Sequence, residues 1–323
     1  MKLKNKIKSL LKYVILAPSG YNTQPWKFKL GEDFLEILPD YTRARLNTDP
    51  DYREFYMSLG AAAFNLEVAA KNFGLTYQKS YLIDEKKQKS SILFEFDDTK
   101  TSTTKSPLFS AISTRHTNRF PYSRQKLSKA LINELRLLPL PDSVEFNLVT
   151  RPGDINAFAK LIDRSFLLWS RQQALVEELE NWLRDDLEFS PDGLPTGVIN
   201  LYKLAVNLKY FLHPDDPQIK TSSLKSQNLA KNAPALAVIS TKNDSVSDFF
   251  QAGEFFEQIT LILASYGLTT DFFNYPLTLK RTRRETAKLI DSPHLPQLLF
   301  RLGFPTIIPP RTHRRPLSEF LIS

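Results

Sequence analysis

Leu3, Ile7, Leu10, Leu11 and Val14 recur at intervals of three and four among lysines, which predicts an amphipathic helix at the N-terminus. A turn-rich stretch follows, Ala17-Pro18-Ser19-Gly20-Tyr21-Asn22-Thr23-Gln24-Pro25-Trp26. Lys27–Leu30 and Phe34–Leu38 flank Gly31-Glu32-Asp33 and predict a hairpin. Helical spacing returns from about Arg53 to Asn72, with Leu59, Ala63, Leu66 and Ala70 as the apolar stripe and Gly74 as a stop signal. Within it, Gly60-Ala61-Ala62-Ala63 permits close approach of another backbone. Ser91–Phe96 predicts a strand. A short helix should end near Ile112, and further helices are predicted at about 127–137, 154–184 and Ala252–Tyr266. Strands are predicted at Val144–Val149, Leu236–Ser240, Leu268–Phe273 and Leu298–Leu302. Residues 185–235, interrupted by Pro191, Pro195, Pro214 and Pro217, predict an irregular or partly helical excursion.

The polar run at 98–107 is the best linker in the chain and divides it into a first part, 1–100, and a second, 101–323. One echo crosses that division. Gly60-Ala61-Ala62-Ala63 through Gly74-Leu75 and Ala252-Gly253-Glu254 through Gly267-Leu268 each give a small-residue helix start, an apolar helix, Gly-Leu and a strand, a pattern suited to internal duplication.

Composition narrows the chemistry. With 42% hydrophobic and 24% charged residues over 323 positions, the chain reads as globular, and it is long enough to bury a core without staples. It contains no cysteine, so disulfides, thiolate metal sites and cysteine nucleophiles are excluded. His116, His213, His294 and His313 do not fall at zinc-ligand spacing. The apolar run at Tyr13–Ala17 is too short for a secretory core, and no window approaches a membrane span, so a cytoplasmic chain without a membrane partner is expected. There is no Gly-x-Ser-x-Gly elbow, and ten glycines form neither a dinucleotide-binding fingerprint nor a P-loop. Asp185-Asp186 reads as a solvated helix end.

The net charge of +8 favours anions. Arg115-His116-Thr117-Asn118-Arg119 puts two guanidinium groups and a hydroxyl within five residues, a set suited to phosphate. Arg311, His313, Arg314 and Arg315 form a second cationic cluster between prolines, and Arg281, Arg283 and Arg284 a third that reads as solvated. Solvated basic patches are the bland alternative for all three. Nucleic acid, which would need an exposed basic stripe with aromatics on one sheet or helix, is not expected as a partner.

These residues carry a resemblance. The stretch Ala17–Trp26 resembles the Ala-Pro-Ser-x-x-Asn-x-Gln-Pro-Trp loop of the FMN-dependent nitroreductase family. Arg115–Arg119 is similar to that family's Arg-Arg-Ser-x-Arg motif, and Leu302-Gly303-Phe304-Pro305 to Arg314-Arg315-Pro316 to its C-terminal segment. The order best resembles the long single-chain branch typified by the mycobacterial Acg proteins, as do Asp40–Arg43 and Asp49–Glu54. The resemblance implies an α+β fold, an antiparallel or mixed sheet flanked by helices. It also implies an internal pseudo-dimer of two nitroreductase-like halves, because the loop precedes the arginine motif and each occurs once. A monomer is then expected, with a homodimer possible.

The resemblance further implies one non-covalent FMN, with NADPH or NADH as electron donor and a small-molecule acceptor such as a nitroaromatic or quinone. Arg115, Thr117 and one or more of Arg311, Arg314 and Arg315 would hold the phosphate. Arg119 would lie at the pyrimidine edge, and Pro18, Ser19 and Gly20, with Asn22 supporting the loop, against the ring. Trp26 is expected to pack. His116 and Thr117 replace the usual arginine and serine, and Gly20 a frequent serine. Two further outcomes stay open: a flavin sequestered under a lid formed by about 185–235, with little turnover, and an oxidase acting on peptide-derived heterocycles.

Overall fold

A computed structural model describes residues 2–84, 86–87, 89–101, 105–185, 190–195 and 217–322. Helix α1 (Leu3–Val14) leads into β1 (Trp26–Leu30), β2 (Phe34–Pro39), α2 (Arg53–Asn72), β3 (Leu75–Leu82) and β4 (Ser91–Thr101). The chain continues through α3 (Phe109–Thr114), α4 (Lys129–Arg136), β5 (Val144–Val149), α5 (Pro152–Ser170), α6 (Gln173–Asn181) and the short β6 (Leu183–Arg184) and β7 (Leu194–Pro195). It ends with α7 (Pro217–Lys231), β8 (Ala235–Thr241), α8 (Val246–Ser265), β9 (Thr269–Phe272), α9 (Tyr275–Thr278), α10 (Lys280–Leu289), β10 (Leu295–Gly303) and β11 (Leu321–Ile322). The class is α+β, as expected, with one mixed and one antiparallel principal sheet.

The two halves repeat one topology. Strands run β1-β2-β4-β3 in one sheet and β5-β8-β10-β9 in the other, each neighbour antiparallel. In each, a helix of 20 residues connects the second strand to the edge strand, α2 in the first and α8 in the second. Both helices stop at a glycine in the left-handed region, Gly74 (φ 75°) and Gly267 (φ 74°), as residues without a Cβ do most cheaply. The second half closes back on the first: β11 adds to β1 in parallel, Phe28 beside Leu321.

The echoed small residues make the interface. α2 and α8 cross so closely that a Cβ on Gly60 would stand 2.1 Å from the Phe250 carbonyl oxygen. A Cβ on Gly253 would stand 2.0 Å from that of Met57. One continuous core surrounds this crossing and draws Leu11, Trp26, Phe28, Leu59 and Phe94 from the first half together with Ile239, Phe255, Ile259 and Phe300 from the second. In β8, Ala235, Ala237 and Ile239 face this core, whereas Leu236 and Val238 pack against Ile155, Phe158 and Ile162 of α5. Apolar layers on both faces explain its unbroken apolar run.

Several elements differ from the sequence pattern. The helix predicted over 154–184 is broken at Gln172, whose backbone is extended (φ −100°, ψ 100°), giving α5 and α6. Helix α8 begins at Val246, six residues ahead of the predicted start, because the Ser245 hydroxyl accepts a bond from the Asp248 amide (3.2 Å). β4 runs on through 98–101, where a linker is predicted, with Thr101 beside Leu75; residues 102–104 lie outside the described residues. Of the excursion at 185–235, residues 186–189 and 196–216 lie outside the described residues, while 217–231 form α7. Among the described residues no helix is long and apolar enough to cross a membrane, and no cluster of His, Asp or Glu could hold a metal ion.

Candidate functional site

Three segments far apart in sequence converge beside the α2–α8 crossing. The first is the turn between α1 and β1. Tyr21, Asn22 and Gln24 all adopt positive φ (53°, 55° and 52°), an unfavourable set for residues with a Cβ, so the turn needs outside support. Within it, the Ser19 hydroxyl accepts a bond from the Gln24 amide (2.9 Å). Asn22 donates to the His313 carbonyl (3.3 Å), and the Gln24 side chain accepts from the Arg315 amide (2.9 Å) and donates to the Pro191 carbonyl (2.8 Å). Trp26 is fully buried beside Phe320, a packing role as expected.

The second segment is Arg115–Arg119, just after α3. Arg115 is buried and donates to the Leu16 carbonyl (3.3 Å), while its Nε lies 3.5 Å from Glu257 of α8. His116 has its Nδ1 beside the Thr114 carbonyl (3.1 Å), and its buried Nε2 has no hydrogen-bond partner. Burial, with Arg115 and Arg311 nearby, holds its imidazole below the ordinary histidine range. Arg119 is aimed by Asp271 of β9 at 3.9 Å, and Arg301 of β10 takes the other oxygen of Asp271 at 3.0 Å. Arg301 is fully buried, donates to the Phe120 carbonyl (2.9 Å) and stacks on Tyr122 (4.1 Å). Neither Asp271 nor Arg301 stood out in the sequence, since an arginine inside an apolar strand has no local signal for its partner.

The C-terminal tail is the third. Arg314 is half-buried and donates to the carbonyls of Ile15 (2.8 Å), Leu16 (3.2 Å) and Ala17 (3.2 Å), capping the end of α1. Burial, reinforced by Arg115, pulls its guanidinium down to about 9. Arg315 turns away: it bonds Glu319 (2.8 Å) and stacks on Phe320 (4.9 Å).

Two joined chambers result. One is broad and lined by Pro18, Ser19, Gly20 and Tyr21, by Met57, Ser58 and Ala61 of α2, and by Phe256, Phe272 and Leu298 across the crossing. Trp169, Leu179 and Leu194 form part of its wall. Its volume is about 1030 Å³ with open solvent included. The other is narrower and strongly cationic, lined by Asn22, Arg115, His116, Arg311, Thr312 and Arg314. Pro18, Ser19, Thr117, Arg119 and Leu194 line both and mark the junction. Thus Pro18, Ser19, Gly20, Asn22, Arg115, Thr117, Arg119, Arg311 and Arg314 are brought together, and Arg315 is not.

One wall of the broad chamber was missed. Arg45 is buried, bonds Glu54 (2.6 Å) and Thr48 (3.2 Å), and lies over the Tyr21 ring (4.4 Å). A Cβ on Gly20 would stand 2.3 Å from its Nη2, so the missing side chain at position 20 makes room for a guanidinium. Glu54 in turn accepts from Asn274 (2.9 Å), and the Asp49 carboxylate caps α2 through the amides of Glu54 (3.0 Å) and Phe55 (2.8 Å).

Comparison with known proteins gives these chambers a context. No family model matches the chain. It is 25% identical over 320 residues to the Acg protein of Mycobacterium tuberculosis H37Rv, covering 97% of this chain and 94% of that one. It is 24% identical over 328 residues to Rv3131 of the same organism, covering 97% and 90%. Both are provisionally named NAD(P)H nitroreductases. Among solved structures, a nitroreductase with bound FMN from Desulfitobacterium hafniense is 12% identical, covers 66% of this chain and 95% of its own, and gives a TM-score of 0.41. One from Bacteroides fragilis is 13% identical, with 64% and 95% covered and a TM-score of 0.39. Along nearly its whole length, this chain resembles the Acg-type nitroreductase chains of M. tuberculosis.

Proposed function

We propose that the protein is an FMN-dependent oxidoreductase that takes electrons from NADPH or NADH and reduces a small nitroaromatic or quinone-like acceptor. The observation that carries this reading is the junction of a broad chamber walled by Met57, Ala61, Phe256, Phe272 and Leu298 with a cationic one lined by Arg115, Arg311 and Arg314. The residues present fit the group. The exposed Arg311 lines the same chamber as the buried Arg115 Nε and His116 Nε2, neither of which has a hydrogen-bond partner, as expected where an anion completes the set.

In this reading Arg115, Thr117 and Arg311 bind the phosphate, while Arg314, its donors engaged by carbonyls, contributes field and fixes the end of α1. Pro18, Ser19 and Gly20 bound the ring, and Asn22 ties their loop to the tail. Arg119, oriented by Asp271, supplies positive charge where the reduced ring system carries negative charge. Bound FMN supplies the hydride acceptance and donation of a ping-pong cycle; the protein excludes water and orients both substrates in turn. One chain contributes both halves of the site, which suits a monomer.

A specific feature favours a covered site with little turnover as the second reading. Residues 190–195 bring Leu194 and Pro195 to the chamber walls and are fastened by Gln24 to Pro191 (2.8 Å), by Arg184 to Asp192 (3.0 Å) and by an Arg43–Asp192 ion pair. Leu194, buried, lines both chambers. Anaerobic addition of NADPH or NADH to the FMN-loaded protein separates the two. Bleaching of the flavin absorption within the mixing time, followed by reoxidation with a quinone, supports the reductase. A persistent band supports the covered site, and a protein that takes up no FMN refutes both.

A further inference from the structure

Helix α8 directs one carboxylate to the back of the cationic chamber. Glu257 is fully buried; its Oε2 accepts from Thr260 (2.8 Å), while Oε1 has no hydrogen-bond partner. That oxygen lies 3.5 Å from Nε of Arg115, which also lacks a hydrogen-bond partner. The groups facing Glu257 from neighbouring elements are Arg115, Arg314 of the tail and Asn65 of α2, with Thr260 on its own helix. Arg314 spends its donors on backbone carbonyls, so Arg115 is the chamber cation whose charge is divided between the carboxylate and whatever enters from the front. Burial pushes the Glu257 carboxyl up to about 7, against the opposing pull of Arg115.

We infer that Glu257 is a proton-exchanging counter-ion behind the phosphate chamber, a positioning residue that acts on the ligand through Arg115. The inference rests on the FMN reading and deepens it. Ionised, Glu257 neutralises Arg115 before the ligand arrives. A phosphate entering beside Arg115 and Arg314 brings negative charge toward a buried carboxylate, raising its proton affinity. Above pH 7, where Glu257 is mostly ionised, close to one proton therefore passes from solvent to it as the phosphate binds; no electron moves. By reciprocity, affinity for the phosphate falls as pH rises and Glu257 ionises.

The test is FMN affinity, read by quenching of flavin fluorescence between pH 6 and 8.5, in the wild-type protein and in Glu257→Gln, which mimics the neutral carboxyl. The ratio of wild-type to variant Kd should be near one at pH 6 and reach about tenfold at pH 8. Titration of the FMN phosphate itself is common to both proteins and drops out of the ratio. Riboflavin, without the phosphate, should give no such trend. Calorimetry at pH 8 in two buffers of different ionisation enthalpy should show greater proton uptake on FMN binding by the wild-type protein than by Glu257→Gln, a difference to which the FMN phosphate and His116 contribute equally in both. A ratio independent of pH, or weaker FMN binding by Glu257→Gln at every pH, overturns the inference while leaving the FMN reading intact. Absence of FMN uptake by the wild-type protein at any pH overturns both.

Discussion

The crossing of α2 and α8 offers a sharp test, because two residues 193 positions apart share one close contact. Gly60→Ala and Gly253→Ala each introduce a Cβ against backbone, 2.1 Å from the Phe250 oxygen and 2.0 Å from the Met57 oxygen. Neither obstacle is a flexible side chain, so the helices themselves must separate by roughly 1 Å to restore an ordinary contact. Overpacking of this kind costs about 3 kcal/mol. Alanine returns about 1 kcal/mol through better helix propensity, leaving each single variant about 2 kcal/mol less stable. Because both clashes are relieved by the same separation while each alanine still gains helix propensity, the double variant should lie about 1 kcal/mol below wild type instead of the additive ~4 kcal/mol, a coupling of about 3 kcal/mol.

Calorimetric melting of the three variants measures this directly. For a chain of this size, 2 kcal/mol corresponds to a fall in Tm of about 3 °C. Single variants as stable as wild type would mean that the interface yields freely, and an additive double variant would mean that the two contacts are independent. Either result refutes the argument. The same helices carry Met57, Ser58, Ala61 and Phe256 into the broad chamber, so a real separation should also widen it.

Two further outcomes follow from the cationic residues. Arg115→Ala should weaken FMN binding by about 10- to 100-fold, the usual worth of charge-assisted bonds to phosphate, and leave riboflavin binding little changed when both are measured by fluorescence quenching. Arg283→Ala should cost about 2 kcal/mol in chemical denaturation, because Arg283 makes a bidentate pair with Asp244 (2.6 and 2.8 Å) and also bonds the Pro296 carbonyl and Gln297. Arg281→Ala and Arg284→Ala, at exposed positions, should stay within about 0.5 kcal/mol of wild type.

The Arg283 case shows where sequence reasoning stops. Arg281, Arg283 and Arg284 read alike as a solvated patch, yet on α10 one of the three faces inward to Asp244, and only tertiary packing decides which. The turn at Ala17–Trp26 was legible from its own residues as a turn, and Arg115–Arg119 as a local cluster of guanidinium groups and a hydroxyl, while their joint place beside one chamber was implied only by the family resemblance. Arg45 was not. Its role depends on the empty space at Gly20, 25 positions earlier, and on Glu54, nine positions later. Glu257 was not singled out either, since the apolar helix around it shows that a carboxylate is buried but not which cation it meets. Small residues at Gly60 and Gly253 were visible as a repeat, while their mutual contact required the fold.

Topology explains why the site forms where it does. β10 ends at Gly303 inside the second sheet, and β11 must reach β1 in the first, where Phe28 donates to the Phe320 carbonyl (2.7 Å). The segment between them is therefore obliged to cross from one half to the other. Its route passes over the turn between α1 and β1, and the backbone bonds from Asn22 to His313 and from Arg315 to Gln24 fix it there. Arg311 and Arg314 are thus set beside Arg115 by the requirement to complete a sheet, at a place where their mutual repulsion is unfavourable. Arg314 loses proton affinity first to burial and then to Arg115, a loss that the Glu257 carboxylate opposes. Strand pairing thus holds two arginines of the tail beside a third from a distant segment, and the FMN reading predicts that a phosphate binds where they meet.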